Sequence, residues 1–203
     1  NGAGRGLISS ALSPFGAKMV EVSNEDGSRI NLNCGSLHPD RMVNAVRNSG
    51  AIAGIALDGD GDRIQICDRE GRLYDGDDIL WMLKASSSKI VGTTVSNYGL
   101  EKSLSKIGIG FHRAEVGDSN VYKKMIEAIA SIGGEPSGHI LFSDGMPTSC
   151  GTYTAMRLLA LSPRKWEANL DGLRKTYHAI EKVPTQDTSH LSEKIKELSS
   201  SGL

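Results

Sequence analysis

Residues 51–68 read AIAGIALDGDGDRIQICD, two apolar runs joined by an acidic loop spaced with glycine. The runs 51–57 and 64–68 predict two strands. Between them Asp58, Asp60 and Asp62 alternate with Gly59 and Gly61, and Arg63 follows at once. In extended backbone, side chains two residues apart share a face, so the three carboxylates can converge on one point. The glycines allow the tight curvature this needs. Carboxylate oxygens packed this closely suit a hard divalent cation, Mg²⁺ or Ca²⁺. An EF-hand count from Asp58 fails, because Arg63 stands where that loop needs Gly and Arg69 where it needs Glu. Three protein ligands leave an octahedral Mg²⁺ with open positions for water or a phosphate oxygen. Arg63 is placed to clamp such a phosphate. The competing reading is a solvated hairpin turn, where Asp-Gly pairs are common; it gives the third carboxylate and the arginine no purpose.

Working outward, residues 3–14 predict a helix and AKMVEV (17–22) a strand. HPDRMVNAVRNSG (38–50) carries Met42, Val43 and Val46 at helical spacing and stops at Gly50. After the second strand, REGRLYDGDD (69–78) turns the chain, and Asp77 or Asp78 can start the helix ILWMLKA (79–85). Ser86–Ser88 is the best linker. KIVGTTVS (89–96) then predicts a strand, NYGLEKSLSKIG (97–108) a helix and IGFHRAEV (109–116) a strand running into a loop and a helix. A short strand follows in HILF, then helices at 151–162 and 166–178, an extended stretch at 179–188 and an amphipathic helix at 189–203. Strands alternate with helices twice over. The expected fold class is therefore α/β: two adjacent three-layer α/β/α domains with mixed sheets, split near residue 88.

A second constellation lies in GGEPSGHI (133–140), with Glu135, Ser137 and His139 at spacing two between glycines. A carboxylate, a hydroxyl and an imidazole on one loop can bond vicinal sugar hydroxyls, which both donate and accept. The same residues also suit a polar turn in which His139 merely caps a backbone group. VGDSNVYKK (116–124) puts Gly117 and Asp118 at a strand-to-helix junction. There Asp118 or Ser119 can be only an N-cap, and the helix N-terminus would also attract a phosphorylated ligand. Asn97 reads as structural, the remaining histidines as ordinary, and Trp81 and Trp166 as core.

Formal net charge is −1, so no basic field points to nucleic acid or an anionic membrane surface. No apolar run reaches the length of a membrane span, and no signal pattern is present. Cys34, Cys67 and Cys150 are widely spaced and read as reduced thiols of a cytoplasmic protein.

With those residues in hand, the chain resembles the α-D-phosphohexomutases, most closely their phosphoglucosamine branch. D-G-D-G-D-R (58–63) is similar to that family's Mg²⁺ loop and GEPSGH (134–139) to its sugar loop, G-E-x-S-G-H. NLNCGSLHPD (31–40), VSNYGLE (95–101) and VGD (116–118) are similar to further segments. The resemblance covers about residues 1–185. It implies a metal-binding domain II at 1–88 with its first strand missing, a sugar-binding domain III at 89–185, and a linker at 186–203 toward a fourth domain.

The implied activity is Mg²⁺-dependent interconversion of glucosamine 6-phosphate and glucosamine 1-phosphate through a bisphosphate. Asp58, Asp60 and Asp62 would hold Mg²⁺, and Arg63 would contact the transferring or leaving oxygens. Glu135 and Ser137 would hold the sugar hydroxyls, with His139 supporting them and Asp118 nearby. The sequence departs from the family in lacking its T-A-S-H-N-P nucleophile motif and its R-x-S-G-T-E-P phosphate loop. Ser119-Asn120 also stands where the phosphoglucosamine branch has Arg-Tyr. The expectation is a chain that needs domains I and IV of the same enzyme, is inactive alone, and can self-associate as a homodimer. Phosphomannomutase or phosphoglucomutase activity, or a non-catalytic module binding Mg²⁺ and sugar phosphate, are the alternatives.

Overall fold

A computed structural model describes residues 2–23, 29–145 and 147–177. Helices α1 (Leu7–Leu12) and α2 (Asp40–Ser49) come first, followed by β1 (Ala53–Leu57), β2 (Ile64–Asp68) and β3 (Leu73–Tyr74). These strands form an antiparallel sheet in the order β1-β2-β3, with Ile55 opposite Ile66 and Leu57 opposite Ile64. Helix α3 (Gly76–Met82) leads into β4 (Lys89–Thr93), α4 (Tyr98–Lys106), β5 (Gly110–Ala114), α5 (Asp118–Ala128), β6 (Ile132–Gly134) and β7 (Ile140–Phe142). The second sheet has the order β5-β4-β6-β7; β4 runs parallel to β5 and β6, while β7 is antiparallel. Helices α6 (Gly151–Ala160) and α7 (Trp166–Asn169) close the described chain. The chain thus adopts the α/β class with a mixed sheet.

The period of two along β1 explains the cover on both faces of the first sheet. Ala56 joins Met42, Val43, Val46 and Cys67 under α2, while Ala53, Ile55 and Leu57 pack against the main core. A Cβ on Gly54 would press into Met42, Val46 and Cys67, so the glycine sets how closely α2 approaches. The main core runs across residue 88: Ile64, Ile66 and Tyr74 share one cluster with Ile90, Leu100, Ile132, Phe142, Leu158 and Trp166. Helix α3 precedes residue 88 yet packs on β6, α4 and α7. On the far face of the second sheet, α5 buries Val121 and Met125 against Val91 and Leu141. Trp81 and Trp166 are core residues, as their spacing predicts. All three cysteines are free thiols. Among the described residues no helix is long and apolar enough to cross a membrane.

Several elements differ from the sequence reading. Residues 17–23 form no strand. β1 lies at the edge of its sheet, and residues 17–23 and 51–57 both line a groove of about 540 Å³. Within 69–78, β3 pairs with β2, and α3 begins at Gly76 with Asp75 as its N-cap, two to three residues ahead of the expected Asp77 or Asp78. The Asp75 carboxylate accepts from the Asp78 N–H while Asp78 accepts from the Asp75 N–H, a capping box. β6 is a strand hidden in a glycine-rich stretch expected to be helix and loop. The helix expected at 166–178 ends at Asn169; Gly172 takes φ +88° and brings the chain against the Trp81 ring. Its last residue, together with the elements expected at 179–203, lies outside the described residues.

Candidate active site

The acidic loop crosses from β1 to β2 and is pinned through its backbone. Gly59 O accepts from Ala3 N–H at 2.9 Å, and Gly61 O accepts from Gly151 N–H, at the start of α6, at 2.9 Å. Asp58 is buried and turns one oxygen inward, accepting from the N–H groups of Gly61 and Arg63, each at 3.2 Å. With the loop fixed so, one oxygen from each of Asp58, Asp60 and Asp62 lies within 4.8 Å of the others. The three carboxylates converge as their alternation predicts.

The electrostatics of Asp62 bear on whether a cation fits. Burial lifts its carboxyl above the ordinary range, the Asp58 carboxyl against it adds to the rise, and His139 partly offsets both. Asp62 Oδ1 is buried with no hydrogen-bond partner. A buried anionic oxygen without a donor is costly in a folded chain, and a divalent cation among three carboxylates removes that cost. The residues fit Mg²⁺, which binds through a few carboxylates and keeps other positions for water or phosphate oxygens.

The second loop comes from the turn between β6 and β7. Glu135 is 6% exposed and accepts from Gly117 N–H at 2.7 Å and from the Ser137 hydroxyl at 3.1 Å. Burial alone would raise its carboxyl, but the Gly117 bond, then His139 and Ser137, outweigh burial and hold it below the ordinary range. Gly138 adopts φ +95°, and a Cβ there would collide with the Ile64 carbonyl oxygen. That absence lets the loop close on β2: Ile64 N–H donates to Gly138 O at 3.2 Å, and Arg63 and His139 form an antiparallel bridge. The two loops therefore meet side by side.

His139 sits at the junction. Its Nδ1 is 3.0 Å from Glu135 Oε2, and its Nε2 is 2.9 Å from Asp62 Oδ2 and 3.1 Å from Arg63 Nε. Arg63 Nε also lies 3.5 Å from Asp58. No hydrogen bond from the described residues engages the two terminal nitrogens of Arg63, which are the atoms a bidentate phosphate contact uses. Three converging carboxylates, a guanidinium, and a carboxylate with a hydroxyl thus lie next to one another.

Asp118 is not the N-cap of α5. Gly117 occupies that position with φ +120°, and among the described residues Asp118 accepts only from its neighbour Ser119 N–H at 2.9 Å. The link from this segment to the Glu135 loop is the Gly117 amide, which sequence reasoning passed over because a backbone donor has no side-chain signature. Gly76 was missed too: it donates to Pro136 O at 3.1 Å, and any Cβ would collide with Glu135 O. Asn97 is structural, as expected. It caps α4 through Gly99 N–H at 2.9 Å, and its side chain exchanges hydrogen bonds with Thr176. Asp77, adjacent to Gly76, accepts from Asn97 N–H at 2.7 Å.

Comparison with known proteins gives consistent matches. Phosphoglucomutase/phosphomannomutase α/β/α domain III matches residues 75–180, a span that begins at α3. Phosphoglucosamine mutase of Caulobacter vibrioides is 41% identical over 170 residues, 79% of this chain and 38% of that protein. The enzyme of the same name from Xanthomonas campestris pv. campestris is 39% identical over 180 residues, 85% of this chain and 39% of that protein. A crystal structure of a phosphoglucomutase/phosphomannomutase family protein from Burkholderia thailandensis superposes with TM-score 0.75 at 26% identity, covering 87% of this chain and 41% of the other. The chain spans about two fifths of the length of the curated relatives it matches.

Proposed function

Because the chain belongs to the phosphoglucomutase/phosphomannomutase family, we propose that it forms the cation- and sugar-binding centre of an Mg²⁺-dependent phosphosugar mutase. The reaction is interconversion of glucosamine 6-phosphate and glucosamine 1-phosphate through a bisphosphate, an intramolecular phosphotransfer. The observation that carries this reading is the junction itself: the carboxylate triad and the Glu135–His139 loop lie side by side, in contact through Arg63 and His139. Relatives named phosphoglucosamine mutase support the amino sugar as substrate.

Asp58, Asp60 and Asp62 would hold Mg²⁺, which when bound supplies positive charge to the transferring phosphoryl group. Arg63 clamps phosphate oxygens through its terminal nitrogens. Glu135, kept ionised by its bonds, accepts from a sugar hydroxyl, and the Ser137 hydroxyl can donate to or accept from the next. These groups read hydroxyls and not the phosphate, so the sugar can bind with either phosphorylated end toward Arg63. A mutase that returns its bisphosphate in both orientations needs that tolerance. The serine nucleophile motif of the family is not among these 203 residues, so phosphoryl donation is assigned to other domains of a complete enzyme.

The test is calorimetric titration of the chain with Mg²⁺. Asp60→Asn removes one formal charge from the cluster and is expected to weaken binding about tenfold or more, ~1.4 kcal/mol. Asp60 makes no hydrogen bond within the loop that its replacement would break. Unchanged affinity would remove the metal assignment.

A further inference from the structure

We propose that His139 is a positioning residue that couples cation binding at the aspartate loop to the geometry of the Glu135–Ser137 loop. This rests on the metal reading above and adds a connection to it. The imidazole spans the gap between the two loops, reaching Asp62 at 2.9 Å through one nitrogen and Glu135 at 3.0 Å through the other. It is well shielded, with 13% of its side chain exposed, so water does not compete freely for either contact. Glu135 continues the chain of contacts to Gly117 N–H at 2.7 Å and to the Ser137 hydroxyl at 3.1 Å. One contiguous path therefore runs from a metal ligand on the first sheet to the sugar-reading groups on the second.

Asp62 divides its two oxygens in a way that makes the path responsive. Oδ2 faces His139, whereas Oδ1 is buried and unpartnered. A cation can take Oδ1 without displacing the imidazole from Oδ2. Fixing Asp62 then fixes the imidazole, and the imidazole fixes Glu135 Oε2. The backbone can follow, because His139 belongs to the loop it steadies: Glu135 N–H donates to His139 O at 2.9 Å, and Gly138 N–H donates to Glu135 O at 3.0 Å. The same arrangement works in reverse, since coupling between two binding events is reciprocal.

The experiment is a titration of the ¹⁵N-labelled chain with Mg²⁺ alone, followed by amide and His139 ring resonances. In the wild type, the Asp60 and Asp62 amides, the Glu135, Ser137 and Gly138 amides and the His139 ring are expected to move along one binding curve. In His139→Ala, the aspartate-loop amides still titrate, while the Glu135, Ser137 and Gly138 shifts fall to about a quarter or less. A merely structural histidine would not make loop shifts depend on Mg²⁺. If the alanine variant fails to fold, the wild-type ring resonances decide, because they must follow the aspartate-loop curve. Loop amides that stay still while the aspartate loop titrates, or loop shifts that survive in His139→Ala, overturn the coupling alone. Aspartate-loop amides that ignore Mg²⁺ overturn the coupling and the metal reading together.

Discussion

Asp77 offers a quantitative test of the packing behind the Glu135–His139 loop. It is 2% exposed in the first turn of α3, next to Gly76, which touches Pro136. One oxygen accepts from Asn97 N–H at 2.7 Å and the other is buried without a partner. Burial raises its pKa from 3.8 to about 6; the Asn97 bond opposes this, Asp75 adds to it, and Lys175 and Ser96 offset part. The folded value is the higher one, so the native state holds the proton more tightly than the unfolded chain. The associated stability is fully present below pH 3.8 and is lost as pH rises through about 6. At 1.36 kcal/mol per unit, lowering the pH from about 7.5 to about 4.5 should recover about 2 kcal/mol from this group. Asp77→Asn cannot titrate and lacks that gain. Urea unfolding at both pH values, followed by fluorescence of the buried Trp81 and Trp166, measures the difference between the two proteins. Wild type should gain about 2 kcal/mol on the variant at the lower pH. A difference that stays flat, or moves the other way, would show that Asp77 is solvated or paired as an anion, and the account of α3's first turn would be wrong.

Other predictions follow from close contacts and the shared core. Gly76→Ala pushes a Cβ into the Glu135 carbonyl oxygen, where backbone faces backbone, and should cost about 2–3 kcal/mol in urea unfolding; an unchanged midpoint would mean α3 slides freely past the loop. Ile66→Ala, in the cluster that joins both sheets, should cost about 2–5 kcal/mol and keep tryptophan fluorescence and far-ultraviolet dichroism on one coincident transition. Two separated transitions would show that the units on either side of residue 88 fold independently. Glu135→Ala leaves Gly117 N–H and the Ser137 hydroxyl without their acceptor. It should abolish glucosamine 6-phosphate binding seen by saturation-transfer NMR while the aspartate-loop amides still respond to Mg²⁺; intact sugar-phosphate binding would remove the carboxylate from the sugar site.

The two loops of the site were legible because each is written locally. The alternation along β1, the glycines at 59 and 61, and the spacing of Glu135, Ser137 and His139 all follow from a period of two in extended backbone. The strands and helices flanking them declare themselves by the stripe they bury. What the sequence left unstated is which surface receives each stripe. Residues 17–22 carry a strand pattern, yet a strand exists only where a partner supplies hydrogen bonds, and among the described residues β1 pairs with β2 and with no strand at 17–22. Helix α3 carries an apolar face that could serve either sheet; packing on β6 decided it. The functional links are the least local of all. His139 meets Asp62 across 77 residues, and Gly117 reaches Glu135 with a backbone amide that any residue but proline possesses. Side-chain identity and periodicity determined what the loops can hold. Only the tertiary fold, through contacts between groups distant in the chain, decided that the two loops meet.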